Sequence, residues 1–335
     1  MTSPHSASMR AAVLDSHNAD FVVQAVARPA PSQGQALVRV AASGVNPLDI
    51  KIRRGTAAHA KHPLPGILGI DLAGTVESVG SGPSPFQPGD EVYGMTGGVG
   101  GVPGSLAEYA VVDTDLLALK PRNISLREAA VMPLIVITAW EGLIDRANIR
   151  SGQTLLVQGG GGGVGHVAIQ IAVARGATVF ATGSQKDLTR ISDLGATAID
   201  RERVTAEEYV AMYSQGRGFD VVYDTVGGAI LDASFNAVAQ FGHVVSTLGW
   251  GSHSLAPLSF RAATYSGVFS LLPLLTGKGR SHHGDILRQA AVMTEQGKLR
   301  PQLDERRFAL SSVSNAHALL ETRHSTGKLV IDVSE

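Results

Sequence analysis

The sequence predicts an α/β protein in which a doubly wound parallel sheet is joined to a β-rich module. Three observations lead there. Apolar strands alternate with helical patterns from about Ser125 onward. A glycine run, Gly159-Gly160-Gly161-Gly162-Gly163-Val164-Gly165, lies between one such strand and one such helix. Short strands separated by turn clusters fill residues 9 to about 128. Strand–helix alternation implies a parallel sheet covered on both faces. Regular short strands between turns imply a barrel-like module.

A chain of 335 residues is long enough for two domains. Its hydrophobic share of 44%, charged share of 17% and net charge of -1 describe a globular chain with no basic stripe. Nucleic acid and anionic membrane are therefore not expected partners. No apolar run reaches the ~18–20 residues of a membrane span. Met1 to Ser8 is small and polar and has no signal-peptide core, so it is expected to be a disordered tail and the protein cytoplasmic. The chain has no cysteine, which removes disulfides and thiolate metal sites together.

In the first part, Ala36–Val40 is a short apolar strand, and Gly74–Val79 alternates with the period of a half-buried strand. Gly80-Ser81-Gly82-Pro83-Ser84-Pro85 and Gln87-Pro88-Gly89-Asp90 are turn clusters. Ser125-Leu126-Arg127-Glu128 has the pattern of a capping box. Beyond it, strands are expected at Thr154–Gln158, Ala177–Thr182, Ala196–Asp200, Phe219–Asp224 and His243–Leu248. Val164, Val167, Ala168, Ile171 and Ala172 share one helical face, and Gly176 stops that helix. Helices near Asp285–Gln296 and Val313–Arg323 then precede a last strand, Gly327–Val333.

A buried strand, a side-chain-free turn and a helix N-terminus together hold a dinucleotide pyrophosphate, because backbone must approach the phosphates closely. Gly162, Gly163, Val164 and Gly165 are the expected phosphate turn. A flexible linker would instead be flanked by polar sequence. Selectivity for NAD normally needs an acid near the end of the second strand. Here that strand ends Ala181-Thr182-Gly183-Ser184-Gln185-Lys186, with no acid before Asp187. Ser184, Lys186 and Arg201 stand where a 2′-phosphate would be welcome, so the expected cofactor is NADPH. The competing reading of Lys186 and Arg201 is ordinary solvated surface. Helical spacing turns His166 outward, as a surface residue, and His282-His283 reads as a polar loop.

Several motifs together carry a resemblance. They are Gly44-Val45-Asn46-Pro47-Leu48-Asp49, Pro65-Gly66-Ile67-Leu68-Gly69-Ile70-Asp71-Leu72-Ala73-Gly74, Pro88-Gly89-Asp90-Glu91-Val92, Ala107-Glu108-Tyr109, Thr138-Ala139-Trp140, the glycine turn and Asp224-Thr225-Val226-Gly227. Over residues 9 to 335 the chain resembles the medium-chain dehydrogenase/reductase superfamily, in its zinc-free quinone oxidoreductase branch. The resemblance implies a GroES-like catalytic domain over 9–128, a Rossmann domain over 129–268, and a segment 269–335 that returns to the first. It implies a homodimer or homotetramer. It adds Thr138 and Val226 at the nicotinamide end and Arg323 near the adenosine phosphate.

The zinc enzymes of the superfamily carry a metal-binding cysteine where this chain has Asn46, and Gly-His-Glu where it has Gly69-Ile70-Asp71. No metal site is expected. The branch commonly has tyrosines at the positions of Lys51 and Arg201, and both are replaced. Quinones and conjugated enones are already electrophilic, so hydride transfer to them needs proximity, a dry pocket and donors near the oxygen. Asn46 is the candidate donor, Lys51 the candidate source of charge or of a proton, and Asp49 a candidate that orders the loop. Tyr109 reads as structural. The expected activity is NADPH-dependent reduction of a small-molecule quinone or enone. An enoyl-thioester reductase and a non-catalytic NADPH-binding protein are the rival readings.

Overall fold

The computed structural model describes residues 8–334, so the expectation of a disordered tail lies outside the described residues except at Ser8, which opens the first strand. The chain divides into two compact units. One comprises the described residues up to Leu134, Leu271–Gly297 and those from Pro301 onward; the other is Ile135–Ser270 with Lys298–Arg300. Among the described residues no helix is long and apolar enough to cross a membrane.

The first unit begins with β1 (Ser8–Leu14), β2 (Val22–Ala27), β3 (Gln35–Gly44), β4 (Gly66–Ile67), β5 (Asp71–Val79), β6 (Glu91–Met95), β7 (Tyr109–Asp113) and β8 (Leu117–Leu119), with helix α1 (Pro47–Arg53) after β3. The short helix α2 (Leu126–Ala130) starts at the expected capping box, Ser125 and Glu128 each bonding the other's backbone N–H. Both predicted strands lie inside longer ones, because β3 and β5 pair along their whole length. Tyr109 on β7 carries the Arg28 guanidinium 3.7 Å above its ring, a packing role.

Helix α3 (Pro133–Trp140) leads into the second unit. There the strands are β9 (Thr154–Gln158), β10 (Thr178–Gly183), β11 (Thr197–Asp200), β12 (Phe219–Asp224), β13 (Val238–Ser246) and β14 (Thr264–Gly267). Between them lie α4 (Gly163–Ala174), α5 (Leu188–Asp193), α6 (Ala206–Ser214), α7 (Ala229–Ala237) and α8 (Ala256–Arg261). All pairs are parallel and the order is β11-β10-β9-β12-β13-β14. The order reverses at β9, so the crevice for a ligand opens at the carboxyl ends of β9 and β12, at Gln158 and Asp224. A core of Leu156, Phe180, Tyr209, Phe219, Val222, Phe235 and Val244 holds sheet and helices together.

Two histidine readings are corrected. His166 is 2% exposed, on the packed face of α4, and its Nδ1 lies 3.2 Å from the Gly162 carbonyl oxygen. The helix is apolar nearly all round, so spacing alone did not reveal its outward face. His282 and His283 are helical, within α10 (Arg280–Glu295), and His283 is fully buried. Gly279 in left-handed conformation starts that helix five residues earlier than the apolar pattern suggests.

After α9 (Leu272–Thr276) and α10, the chain closes the first unit with β15 (Phe308–Ala309), α11 (Val313–Glu321) and β16 (Val330–Asp332). β16 runs antiparallel to β3, Val330 facing Gly44 and Asp332 facing Ala42. The sheet order is β15-β16-β3-β5-β6-β8, with β7 also on β3, and β2-β1-β4 forms a separate three-stranded sheet.

Phe219 is fully buried at the centre of the second unit's core. Phe219→Ala is expected to destabilise that unit by about 3–5 kcal/mol, read as a lower urea midpoint.

Candidate active site

Strand β9 delivers the chain to the glycine turn. Gly159 has φ +82°, a conformation glycine adopts without strain. Its N–H donates to Thr182 Oγ1 at 3.1 Å, and the Gly160 N–H donates to the Thr182 carbonyl at 2.8 Å. Gly165, in the first turn of α4, has no room for a side chain, because a Cβ there would overlap the Gly159 carbonyl oxygen. Helix α4 starts at Gly163 after Gly162, and no side chain caps it. The first N–H groups of the helix are therefore left uncapped at a turn where Gly159 to Gly163 and Gly165 carry no Cβ, the setting that a pyrophosphate requires. These residues fit a dinucleotide.

Behind the turn lies a buried polar link. Thr182 Oγ1 donates to Gln158 Oε1 at 2.8 Å, and Gln158 Nε2 donates to the Tyr209 hydroxyl at 2.9 Å. Gln158, Thr182 and Tyr209 then line a cavity of about 210 Å³ that also takes in Arg201 and Val226. Asp224 is fully buried and accepts from the N–H groups of Val226 and Gly227, each at 3.0 Å, and from Ser246 Oγ at 2.7 Å. Those bonds fix the turn that presents Val226, 38% exposed, beside Gly159. Thr138 is buried on α3, its Oγ1 3.1 Å from Ser270 Oγ and its carbonyl accepting from the Tyr223 hydroxyl at 2.7 Å.

At the end of β10, Ser184 Oγ donates to Asp187 Oδ2 at 2.5 Å. Arg190 donates to the other oxygen of that carboxylate at 2.5 Å and to the Gly161 carbonyl at 3.0 Å. Asp187 thus lies closer to the glycine turn than its place in the sequence suggests, and Arg190 offsets its charge. Lys186 and Arg201 are exposed.

The first unit holds the other candidates. Asn46 caps α1, its N–H donating to Asp49 Oδ2 at 2.8 Å. Its side-chain Nδ2 donates to Asp71 Oδ2 at 3.0 Å, and its Oδ1 accepts from Lys328 Nζ, which also donates to the Val45 carbonyl at 2.8 Å. Asp71 Oδ1 accepts from the Leu134 N–H at 2.9 Å. Asn46 and Asp71 are fully buried, Asp49 is 1% exposed and Lys328 9%. Burial pushes the Asp49 carboxyl up to about 7 and that of Asp71 to about 6, with the Lys328 ammonium opposing both. Burial also lowers Lys328, against the pull of the two aspartates. Lys51 is exposed on α1, and Arg323 is exposed after α11, in left-handed backbone at φ +56°.

Residues 32–122 match the family model of the alcohol dehydrogenase GroES-like domain, and residues 194–331 that of a zinc-binding dehydrogenase. The chain is 36% identical over 311 residues to the NADPH-dependent alkenal/one oxidoreductase of Arabidopsis thaliana, across 90% of this chain and 73% of that protein. It is 37% identical over 314 residues to the 2-methylene-furan-3-one reductase of Solanum lycopersicum, across 91% and 74%. The crystal structure of an alcohol dehydrogenase superfamily protein from Novosphingobium aromaticivorans superposes with a TM-score of 0.96 at 55% identity, covering 97% of this chain and 100% of that one. The chain belongs to the medium-chain dehydrogenase/reductase superfamily. It falls in the quinone oxidoreductase branch and is a nicotinamide-dependent oxidoreductase acting on a small molecule.

Zinc in this superfamily needs a donor set, and the residues of this dehydrogenase/reductase do not fit one. Ile70 has no donor atom, the Asn46 amide is engaged at both ends, and an ammonium, which repels a divalent cation, touches it. Among the described residues no three His, Cys, Asp or Glu side chains are grouped to hold a metal.

Sequence reasoning missed Asp71, Lys328, Arg190 and the Gln158–Thr182–Tyr209 link. The first two had a signal: each is a single charge beside an otherwise apolar strand, Asp71-Leu72-Ala73 and Lys328-Leu329-Val330-Ile331. Arg190 had none, since an arginine on a short helix normally reads as surface.

Gly165→Val is expected to weaken dinucleotide binding roughly a hundredfold, about 2.7 kcal/mol, by forcing α4 off the turn. Calorimetric titration with NADPH, alongside circular dichroism to verify folding, measures it.

Proposed function

We propose that this protein is an NADPH-dependent, zinc-independent reductase of α,β-unsaturated carbonyls and quinones. The observation that carries the reading is a dinucleotide turn joined in one chain to a catalytic half whose polar centre, Asn46, Asp49, Asp71 and Lys328, contains an ammonium and no histidine or cysteine. An alcohol substrate requires its proton to be withdrawn as hydride leaves, the task a zinc ion performs in relatives. A conjugated enone or a quinone accepts hydride without that help. The two plant relatives support the enone class, since both names describe reduction of a conjugated carbonyl.

Bound reduced nicotinamide supplies the hydride. The chain's part is to hold the dinucleotide on Gly162, Gly163, Val164 and Gly165, and to receive the nicotinamide end at Thr138 and Val226. Addition at the β-carbon leaves an enolate, which then takes a proton. Lys51 is the proposed polar group of the substrate end; Asn46, expected as a donor to substrate, is buried with its amide bonded at both ends, and with Asp49 it orders the loop from within. Ser184, Lys186 and Arg201 are the proposed selectors of the 2′-phosphate. Arg190, by neutralising Asp187, removes the repulsion that acid would exert on a phosphate. The protein is also read as a homo-oligomer. Support comes from β14, which ends the parallel sheet as an open edge, and from Phe241 and Phe260, each 83% exposed.

Purified protein with NADPH is expected to reduce members of a panel of alkenals, alkenones and quinones, followed as loss of nicotinamide absorbance. Confirmed NADPH binding with no turnover on the whole panel rejects the reading, and turnover confined to enoyl thioesters moves it to that class. Lys186→Ala is expected to raise the dissociation constant of NADPH roughly fivefold while leaving NADH nearly unchanged. Equal effects on both cofactors remove Lys186 from the phosphate site.

A further inference from the structure

The buried centre of the first unit carries an excess charge. Two carboxylates, Asp49 and Asp71, face one ammonium, Lys328, and all of it is shut from solvent. An uncompensated buried charge costs several kcal/mol, and one added proton removes it. The hydrogen bonds indicate where that proton sits. Asp71 accepts at both oxygens, from Leu134 and Asn46, which favours its ionised form. Asp49 accepts from the Asn46 N–H at Oδ2, with the Gly69 N–H as a weaker neighbour, while its buried Oδ1 makes no well-formed hydrogen bond among the described residues. The groups that favour an ionised Asp49 are the Asn46 and Gly69 N–H groups and Lys328; burial and Asp71 oppose them. Lys51 and Arg53 are the other charges of α1, and Lys51 is exposed to solvent.

We propose that Asn46, Asp49, Asp71 and Lys328 form a one-proton centre, held on Asp49, in which Lys328 and Asp71 are positioning residues and whose filled state is the one competent for reduction. The proposal rests on the reductase reading for its link to turnover. Its chemistry balances as follows. Reduced nicotinamide, when bound, would give up a ring hydride and be oxidised; that hydride bonds to the β-carbon of the enone, the carbon–carbon π pair moves towards the carbonyl oxygen, and the resulting enolate takes one proton at its α-carbon from solvent water, so that the proton on Asp49 is retained. With Asp49 protonated the centre is neutral and keeps the Asn46 amide in place. With it ionised, two carboxylates compete for Lys328, and Lys328 is drawn off the Asn46 oxygen. The alkaline limb of kcat/KM therefore follows loss of this proton.

Opposite charge changes test this. Lys328→Met removes the cation, holds the proton more tightly and moves the alkaline limb up by about one pH unit. Asp71→Asn leaves Asp49 alone with Lys328 and moves the limb down by a similar amount. A purely structural role lowers activity in both variants without opposed shifts. Infrared titration of the wild-type protein supplies the second readout and needs neither turnover nor a variant that folds. A protonated carboxyl band that disappears in the neutral range is expected, and Asp49→Asn is expected to lack it. Absence of that band overturns the centre. Its presence with a flat activity profile, or with variant shifts of the same sign, overturns its coupling to reduction. If no substrate turns over, the infrared band still decides whether the centre exists, so failure of the reductase reading is recognised separately.

Discussion

The antiparallel pairing of β16 with β3 is the contact on which the polar centre of the first unit depends. It joins the end of the chain to a strand near its beginning, Val330 opposite Gly44, with β5 on the other side of β3 placing Asp71 at the same level. Three strands thus bring Lys328, Asn46 and Asp71 together without any local sequence signal between them. Gly44 in the central strand allows it, since a Cβ there would overlap the Ala130 carbonyl oxygen and crowd the Asp71 Cβ. Register, more than any single bond, sets the polar centre: a slip of one residue would turn these side chains to the other face.

The second unit is built on a different constraint, close backbone approach. Gly165 seats the first turn of α4 against the Gly159 carbonyl, and Thr182 bonds both Gly159 and Gly160 from the neighbouring strand. The turn is held from below by side chains that themselves reach across three strand ends, Gln158 to Thr182 and Thr225 to the Gln158 carbonyl at 2.7 Å. Preorganisation of this kind keeps the N–H groups aimed outward before a ligand arrives, which lowers the ordering cost of binding.

Much of the second unit was legible because its determinants are local. Thr154–Gln158 and Phe219–Asp224 are strands with the expected limits, since both are apolar runs closed by a polar residue at the crevice. The strand expected at His243–Leu248 instead spans Val238–Ser246, because Val238 pairs with Phe219 beyond an irregularity and extends the ladder backwards. His166 and His283 escaped the sequence for the opposite reason: their burial depends on what packs over the helix, and no periodicity reports that. Lys328 is the extreme case. Its partner Asn46 lies 282 residues away, and only the closed sheet relates them.

The two halves divide the demands of reduction between backbone and side chain. The N–H groups at the start of α4 carry no titratable charge, so what the proposed pyrophosphate turn offers a ligand does not change with pH. The polar centre of the first unit is made of ionisable side chains with opposing pulls: burial raises both aspartates and lowers the lysine. Such a balance is disturbed by one charge. A zinc ion at this level would add two positive charges and bind its donors strongly enough to be insensitive to one proton more or less. An ammonium offers a single charge and three donors, two of them committed to Val45 and Asn46. The centre can therefore hold an amide and share a proton, but it lacks the field to ionise an alcohol. Substrates that already carry their own electrophile are the ones this arrangement suits.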